Sequence, residues 1–143
     1  MTTFTSSTPS HISSTAPYGA FVLRVALGVL FIAHFALKLF VFTPAGAAAF
    51  FGSLGLPPAL AYVTMAAELL GGLALILGIY ARAVALALIP LMLGTIVMVH
   101  GANGFFFDSK GGGWEYPAFW SIALLVLALI GDGAHALVPT RRN

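Results

Sequence analysis

The sequence predicts an all-α integral membrane protein, a four-helix bundle with a short interfacial or re-entrant helix between its first two spans. Of the 143 residues, 60% are hydrophobic and only 7% are charged, whereas soluble domains carry about 25% charged residues. Several apolar runs also approach the roughly 20 residues that cross a bilayer as a helix. Six basic and four acidic side chains cannot cover the surface of a soluble fold of this size, so we expect a lipid bilayer to surround the protein.

The apolar runs and the turns between them divide the chain into a tail and one domain. Residues 1–18 are rich in Ser and Thr and contain no Lys or Arg, which favours a disordered N-terminal tail over a signal peptide. Residues 19–143 then form one four-helix transmembrane domain. Its helices are predicted at about 19–42, 59–80, 83–100 and 117–138, from the length of each apolar run.

The segment between the first two spans, "TPAGAAAFFGSLGLPP", has no charged residue. It is too apolar for a loop in water and too short to span the bilayer. It therefore predicts the short extra helix, which Gly55 and the Pro57–Pro58 pair would end. The second and third spans, by contrast, are separated only by "ARA", which predicts a tight antiparallel hairpin.

The positions of the basic residues predict the orientation and exclude some partners. With four spans, both termini and the "ARA" turn share one side of the membrane. That side holds Arg24, Arg82, Arg141 and Arg142, and the other side holds Lys38 and Lys110. Since cytoplasmic loops carry the excess of Lys and Arg, we predict a multi-pass membrane protein with both termini in the cytoplasm. The scattered basic residues argue against nucleic-acid binding, and the lack of cysteine excludes thiol redox chemistry.

Charged residues inside the first and last helices predict a contact between them. A charge at mid-bilayer costs about 2.5–3.5 kcal/mol on the insertion scale, so those that persist usually face a partner in the bundle. Arg24, His34 and Lys38 fall within about an 80° sector of the first helix, which predicts one inward-facing stripe. Arg24 also matches the depth of Asp132 in the fourth helix. We predict that these two residues form a structural ion pair.

Glu68 lies near the middle of the second helix, beside Gly71 and Gly72, on a face that lets another helix approach closely. Two interpretations stay open. A carboxyl buried without a partner favours its protonated form, which suits a catalytic proton acceptor near a quinone or a similar ligand. Alternatively, a cation such as His34 or Arg24 neutralises the carboxylate, and its role is structural.

The stretch "HGANGFFFDSKGGGWEYP", from His100 to Pro117, combines polar and aromatic residues in an otherwise apolar chain. Its rings, together with Trp120, fit an aromatic belt at the membrane surface, but the three consecutive glycines favour a backbone folded over a pocket. The predicted ligand-binding residues of this outer pocket are His34, Lys38, His100, Asn103, Trp114 and Tyr116. Its predicted catalytic residues, which would exchange protons, are Glu68 and Glu115.

The two histidines of this pocket raise the question of a bound metal. His34 and His100 lie on different helices and form no metal-binding motif. We therefore predict no metal site, and we keep a haem held between the two rings as a weaker alternative.

Four segments resemble the DoxX family, in the order "RVALGVLFIAHFALKLF", "FFGSLGLPP", "AAELLGGLALILGIYAR" and "GGGWEYPAFWSIALLVLALIGDG". The resemblance covers about Arg24 to Val138. It implies a small four-helix bacterial inner-membrane protein linked to quinone-dependent electron transfer, with quinone as the cofactor and oxidoreductase subunits as partners. The marker residues carried over by position are Arg24, His34, Lys38, Glu68, His100, Asn103, Trp114, Glu115, Tyr116 and Asp132.

Three functional hypotheses follow. The first is a DoxX-like protein associated with redox chemistry that binds a quinone in the outer pocket and, if it is an enzyme, acts as a quinone-linked oxidoreductase subunit. The second is a non-enzymatic membrane anchor or assembly subunit for a partner protein, and the third is a haem- or metal-binding bundle. A transporter is a weaker interpretation, because so small a chain would have to form a homo-oligomer, which its small-residue steps allow.

Overall fold

The computed structural model describes residues 15–140. Within this range three helices are long and apolar enough to cross a membrane, Ala16–Val41, Ala59–Leu77 and Ala81–Asn103. A fourth apolar helix, Glu115–Ile130, has 16 residues. These helices pack together as a bundle, and no strand forms in the described part of the chain. The predicted class, an all-α multi-pass membrane protein with four bundled helices, is confirmed.

The described residues contain five α-helices. They are α1 (Ala16–Ala36), α2 (Pro44–Ser53), α3 (Ala59–Leu77), α4 (Ala81–Thr95) and α5 (Glu115–Ile130). The first helix continues as a π-helical turn, Leu37–Val41, and the fourth continues as a π-helical turn, Ile96–His100, followed by a 3₁₀ turn, Gly101–Asn103. Such wide turns are rare and often lie at functional sites, and here both lie at the same end of the bundle.

The short helix predicted between the first two spans exists as α2. It starts at Pro44, directly after Thr43, whose side-chain oxygen accepts a hydrogen bond from the Gly46 amide at 3.2 Å. Its buried Ala47 packs against Ala61 and Met65 of α3. The helix is therefore part of the bundle, while its interfacial or re-entrant placement in the bilayer stays a prediction.

Two glycines set the closest approach in the bundle. A Cβ added to Gly28 of α1 would lie 2.7 Å from the Gly72 carbonyl oxygen, and one added to Gly72 would lie 2.9 Å from the Gly28 carbonyl oxygen. The backbones of α1 and α3 therefore meet directly. Gly71 faces Leu88 of α4 on the neighbouring side. The expectation that this face of the second span admits other helices closely is confirmed.

The remaining contacts close the bundle. Helix α4 packs mainly on α5, α3 also touches α4, and α1 also touches α5. Large apolar side chains such as Val22, Leu70 and Leu129 point outward and are exposed, as expected where lipid takes the place of water. We call the two ends of the bundle the Arg24 end, where α1 and α4 begin and α3 and α5 end, and the Lys38 end, which holds the π-helical turns, α2 and the 104–114 loop.

The fourth helix is shorter than the prediction of about 117–138, since α5 ends at Ile130. Gly131 follows with φ of 104°, a conformation that stops the helix. The chain then turns back and pairs with the connection between α3 and α4. The Tyr80 amide donates to the Val138 carbonyl at 2.8 Å, and the Val138 amide donates to the Gly78 carbonyl at 3.0 Å.

The first helix is longer than the prediction. It begins at Ala16, because Pro17 suits a first helical turn, so the last three residues of the predicted tail are helical. The third span likewise runs from Ala81 to Asn103 instead of about 83–100. The rest of the predicted tail, residues 1–14, and the basic pair at 141–142 lie outside the described residues.

Candidate functional site

Lys38 and Glu68 form a buried ion pair between α1 and α3. The Lys38 Nζ lies 2.7 Å from the Glu68 Oε1, and the two side chains are 17% and 4% exposed. Within residues 15–140 this is the only ion pair. Glu68 therefore has a cation partner, and this partner is Lys38 instead of the expected His34 or Arg24. The reason is the long, flexible lysine stem, which carries its ammonium group from the π-helical turn back into the bundle.

A small cavity lies beside the ion pair, with a volume of about 60 Å³. Its lining comes from all four spans. The lining residues are Phe31, His34, Lys38, Glu68, Leu91, Met92, Thr95, Tyr116 and Trp120. Four of the sequence-predicted site residues, on three different helical segments, are thus brought to one place in the core of the Lys38 end.

Two polar atoms of the cavity residues are buried without a hydrogen-bond partner. They are the second oxygen of Glu68, Oε2, and the indole Nε1 of Trp120. A buried polar group left without a partner costs about 1–3 kcal/mol, and native structures contain few such groups. Their presence in one cavity indicates a place where a polar molecule, a water or a ligand group, completes the bonding.

Trp120 is a cavity residue that the sequence assigned only to the surface aromatic belt. Its side chain is buried, with 6% exposure. Its ring packs against Phe31 and His34, with ring centroids 4.8 and 4.9 Å apart. The spacing of four residues from Tyr116 places both rings on one face of α5, which is the signal that could have identified Trp120. Thr95 carried no comparable signal.

His34 and His100 play different parts. The His34 Nδ1 lies 3.0 Å from the Leu30 carbonyl oxygen. A carbonyl only accepts, so Nδ1 carries the hydrogen and the other nitrogen, Nε2, is an acceptor in the neutral ring. His34 lines the cavity, whereas His100 does not.

His100 is connected to the cavity through Tyr116. The Tyr116 hydroxyl lies 2.7 Å from the His100 Nε2, and the His100 Nδ1 lies 2.8 Å from the Gly112 carbonyl oxygen. Because the carbonyl must accept, Nδ1 is the donor, and in the neutral ring Nε2 accepts from the tyrosine hydroxyl. Both ring nitrogens are therefore engaged in hydrogen bonds.

Asn103, Trp114 and Glu115 hold the 104–114 loop together and do not line the cavity. The Asn103 side-chain amide donates to the carbonyls of Gly111 and Gly112 at 2.9 and 3.0 Å. The ligand-binding role predicted for Asn103 and Trp114 and the catalytic role predicted for Glu115 stay predictions, but the structure places all three side chains outside the cavity. The reason is that the folded loop uses their polar and aromatic groups itself.

The contacts of the other two residues show this directly. Glu115 Oε1 accepts a hydrogen bond from the Phe107 amide at 2.8 Å. The Trp114 ring packs edge-on against Phe105, with ring centroids 4.8 Å apart. Glu115 thus fixes the start of α5 to the loop instead of facing the bundle core.

The predicted ion pair between Arg24 and Asp132 does not form. Arg24 is fully buried, and its guanidinium donates to the carbonyls of Leu75 at 2.7 Å, Ile76 at 2.8 Å and Ala134 at 3.1 Å. The last carbonyls of α3 have no partner within their helix and carry its negative end, so they attract a cation. Arg24 is a structural clamp, as predicted, but it holds backbone and not a carboxylate.

Asp132 binds the N-terminal end of a helix, whereas Arg24 binds a C-terminal end. Its carboxylate accepts from the Arg82 amide in the first turn of α4 at 3.2 Å, and from the amide and hydroxyl of Thr140 at 2.8 and 2.9 Å. A carboxylate is favoured at a helix N-terminus. The residue pins the segment after α5 to the start of α4.

No group of three or more His, Asp or Glu side chains that could hold a metal ion occurs in residues 15–140. The polar groups of the cavity are a lysine, a carboxylate, an imidazole, a hydroxyl, a phenol and an indole. Such a set binds through hydrogen bonds and exchanges protons. The cavity is therefore a small site in the bundle, lined by polar groups that can donate and accept hydrogen bonds.

Comparisons with known proteins agree with the resemblance found in the sequence. A protein-family model, DoxX, matches residues 19–101. The chain is also 33% identical over 121 residues to a protein of Bacillus subtilis (strain 168) named "Putative oxidoreductase CatD", and this match covers 85% of each chain. No solved structure matches the chain. The family model spans more than half of the sequence, and this chain belongs to the DoxX family.

Proposed function

We propose that this DoxX protein is a membrane component of an oxidoreductase system, and that its cavity at Lys38 and Glu68 serves as the proton-exchanging site for a quinone-type ligand. One observation carries the proposal. An ion pair and two unpartnered polar atoms lie around a cavity in the core of the bundle. The name of the Bacillus subtilis relative, "Putative oxidoreductase CatD", supports the redox part of the proposal.

The groups of the cavity suit a quinone chemically. Quinone oxygens accept hydrogen bonds, which the Trp120 indole and the Lys38 ammonium donate, and Glu68 is placed to hold or release a proton. When bound, a quinone supplies reversible two-electron, two-proton chemistry. Electrons would be exchanged with a soluble or membrane partner subunit, since the chain has no cysteine and thus no thiol relay of its own.

The size of the cavity limits how such a ligand binds. Its volume of about 60 Å³ is far below the roughly 300–1,000 Å³ of typical ligand pockets. The cavity therefore admits at most a carbonyl group of the ligand, and the rest of the ring must stay outside it unless side chains move apart.

Solvent extraction of the purified protein tests the proposal. We expect the wild-type protein to yield bound quinone, and the double variant His34→Ala/Glu68→Gln to yield at least tenfold less. Glu115→Gln is the matched control, because it removes a carboxylate from the loop and not from the cavity, and it should retain the quinone. If no form yields quinone and an added short-chain quinone does not bind the wild type, the proposal is overturned.

We also propose that the protein lies in the bacterial inner membrane with both termini in the cytoplasm, on the strength of the arginines near the Arg24 end. The lack of native cysteine makes a direct test simple. In intact cells, Lys110→Cys in the 104–114 loop should react with a membrane-impermeant maleimide, and Ala83→Cys in the first turn of α4 should not. The reverse pattern overturns this topology.

A further inference from the structure

The cavity and the 104–114 loop are joined by a line of hydrogen-bonding groups. Tyr116 connects the two. Its side chain lines the cavity, and its hydroxyl lies 2.7 Å from the His100 Nε2. His100 in turn bonds the Gly112 carbonyl. Tyr116 is 38% exposed and His100 is partly exposed, while Glu68 at the other side of the cavity is buried.

The loop is built so that the His100 ring keeps this position. Gly112 has φ of 77°, and a Cβ added there would lie 3.3 Å from the His100 ring atoms Cε1 and Nδ1. A side chain at this position would thus be strained and would crowd the imidazole. The Asn103 side-chain amide donates a hydrogen bond to the carbonyl of the same glycine. This gives the run of three glycines a physical purpose, which is to place a carbonyl against His100.

We propose that Tyr116 and His100 form the proton-transfer route between the Glu68 cavity and the loop surface. The inference rests on the proposed function of the cavity as a proton-exchanging site. A protonated Glu68 gives its proton to a water molecule in the cavity, which has room for a few. The water passes a proton to the Tyr116 oxygen, and the Tyr116 hydroxyl releases its own proton to the His100 Nε2.

Every proton in this transfer has a donor and an acceptor. Glu68 ends as a carboxylate beside the Lys38 ammonium, Tyr116 is unchanged, and His100 is an imidazolium whose Nδ1–H still donates to the Gly112 carbonyl. His100 then loses its extra proton to solvent at the loop. The ionisable groups that line the cavity with Glu68 are Lys38 and His34 from the α1 side and Tyr116 from α5, while α4 contributes only Thr95, Leu91 and Met92.

Infrared spectroscopy after a rapid pH jump measures the route directly. The Glu68 carboxyl band, identified by its loss in Glu68→Gln, should respond at least tenfold more slowly in Tyr116→Phe, which keeps the ring and removes the hydroxyl. Tyr62→Phe is the matched control, since Tyr62 lies on α3 with 52% exposure and away from the cavity lining, and it should respond at the wild-type rate.

An unchanged rate in Tyr116→Phe overturns the proposal. So does a Glu68 band that does not titrate anywhere in the pH range in which the protein stays folded, because a group that never changes its proton cannot supply a relay.

A second measurement on the wild-type protein needs no variant. Nitrogen NMR of the neutral His100 ring should show the hydrogen on Nδ1 and none on Nε2, and the opposite tautomer overturns the proposal. None of these readouts requires a bound quinone. A relay that works in a protein that neither yields quinone nor binds an added short-chain quinone would therefore refute the proposed ligand and leave the route in place.

Discussion

Removing the Lys38 ammonium should make the stability of this protein strongly dependent on pH. Among the described residues, Lys38 donates the only side-chain hydrogen bond that reaches Glu68, at 2.7 Å. In Lys38→Met the carboxylate would be buried without a partner, and its protonated form is then the cheaper state. For a carboxyl with an ordinary pKa of roughly 4.3, protonation costs about 3.7 kcal/mol at pH 7 and about 1 kcal/mol at pH 5.

The sign follows from proton counting. The folded variant would hold a proton that the unfolded chain has lost, so its free energy of unfolding falls as the pH rises from 5 to 7, by about 2.7 kcal/mol relative to the wild type. Unfolding in mixed micelles with increasing dodecyl sulfate, followed by tryptophan fluorescence at both pH values, measures this change.

Two further variants serve as controls. Lys110→Met, which removes an exposed lysine from the loop, should show no such pH dependence. Adding Glu68→Gln to Lys38→Met should abolish the pH dependence and recover most of the stability lost at pH 7. The reasoning is refuted if Lys38→Met loses the same stability at both pH values, or if the double variant shows the same pH dependence as the single one.

Two more predictions concern the contacts that hold the helices together, and thermal unfolding in detergent followed by circular dichroism measures both. Gly28→Ala should destabilise the bundle by about 1–3 kcal/mol, because its Cβ would lie 2.7 Å from the Gly72 carbonyl oxygen, whereas Gly94→Ala meets nothing within 4 Å and should not destabilise. Equal melting temperatures for these two variants would contradict the direct contact of α1 and α3. Arg24→Met should cost at least about 2 kcal/mol, since it strands three carbonyl acceptors, while Arg82→Met should change little, and similar losses for both would count against the clamp.

The helices and part of the site could be predicted because both depend on hydrophobic periodicity. The length of the apolar runs identified every span, and the uncharged segment after the first span identified α2. The 80° stripe on the first helix placed His34 and Lys38 on one inward face, and both line the cavity with Glu68. Polar side chains that share the inward face of a helix can therefore be recognised from their spacing in a sequence.

Backbone acceptors are not visible in a sequence, and the error at Arg24 has this cause. Matching its depth to that of Asp132 assumed that a buried cation needs an acidic side chain. Its guanidinium donates instead to backbone carbonyls at the end of α3, which any sequence with a helix end there would present.

The end of α5 escaped prediction for a related reason. Residues after Ile130 are apolar enough to continue a helix, yet Gly131 and Gly133 take φ of 104° and 75°, and the chain pairs with the α3–α4 connection. The position of Glu115 and Asn103 outside the cavity could not be predicted for the same reason, because a loop's internal hydrogen bonds depend on its folded path and not on its composition.

The three hydrogen bonds of Arg24 reach 51, 52 and 110 residues along the chain, and this fixes an order of events during synthesis. The first two acceptors exist once α3 has been made, but the third, Ala134, exists only after α5 has been made. Hydrocarbon itself contains no hydrogen-bond acceptor. Arg24 therefore lacks its third protein acceptor in every nascent chain that ends before Ala134, and all three bonds can form only after the last span has been made.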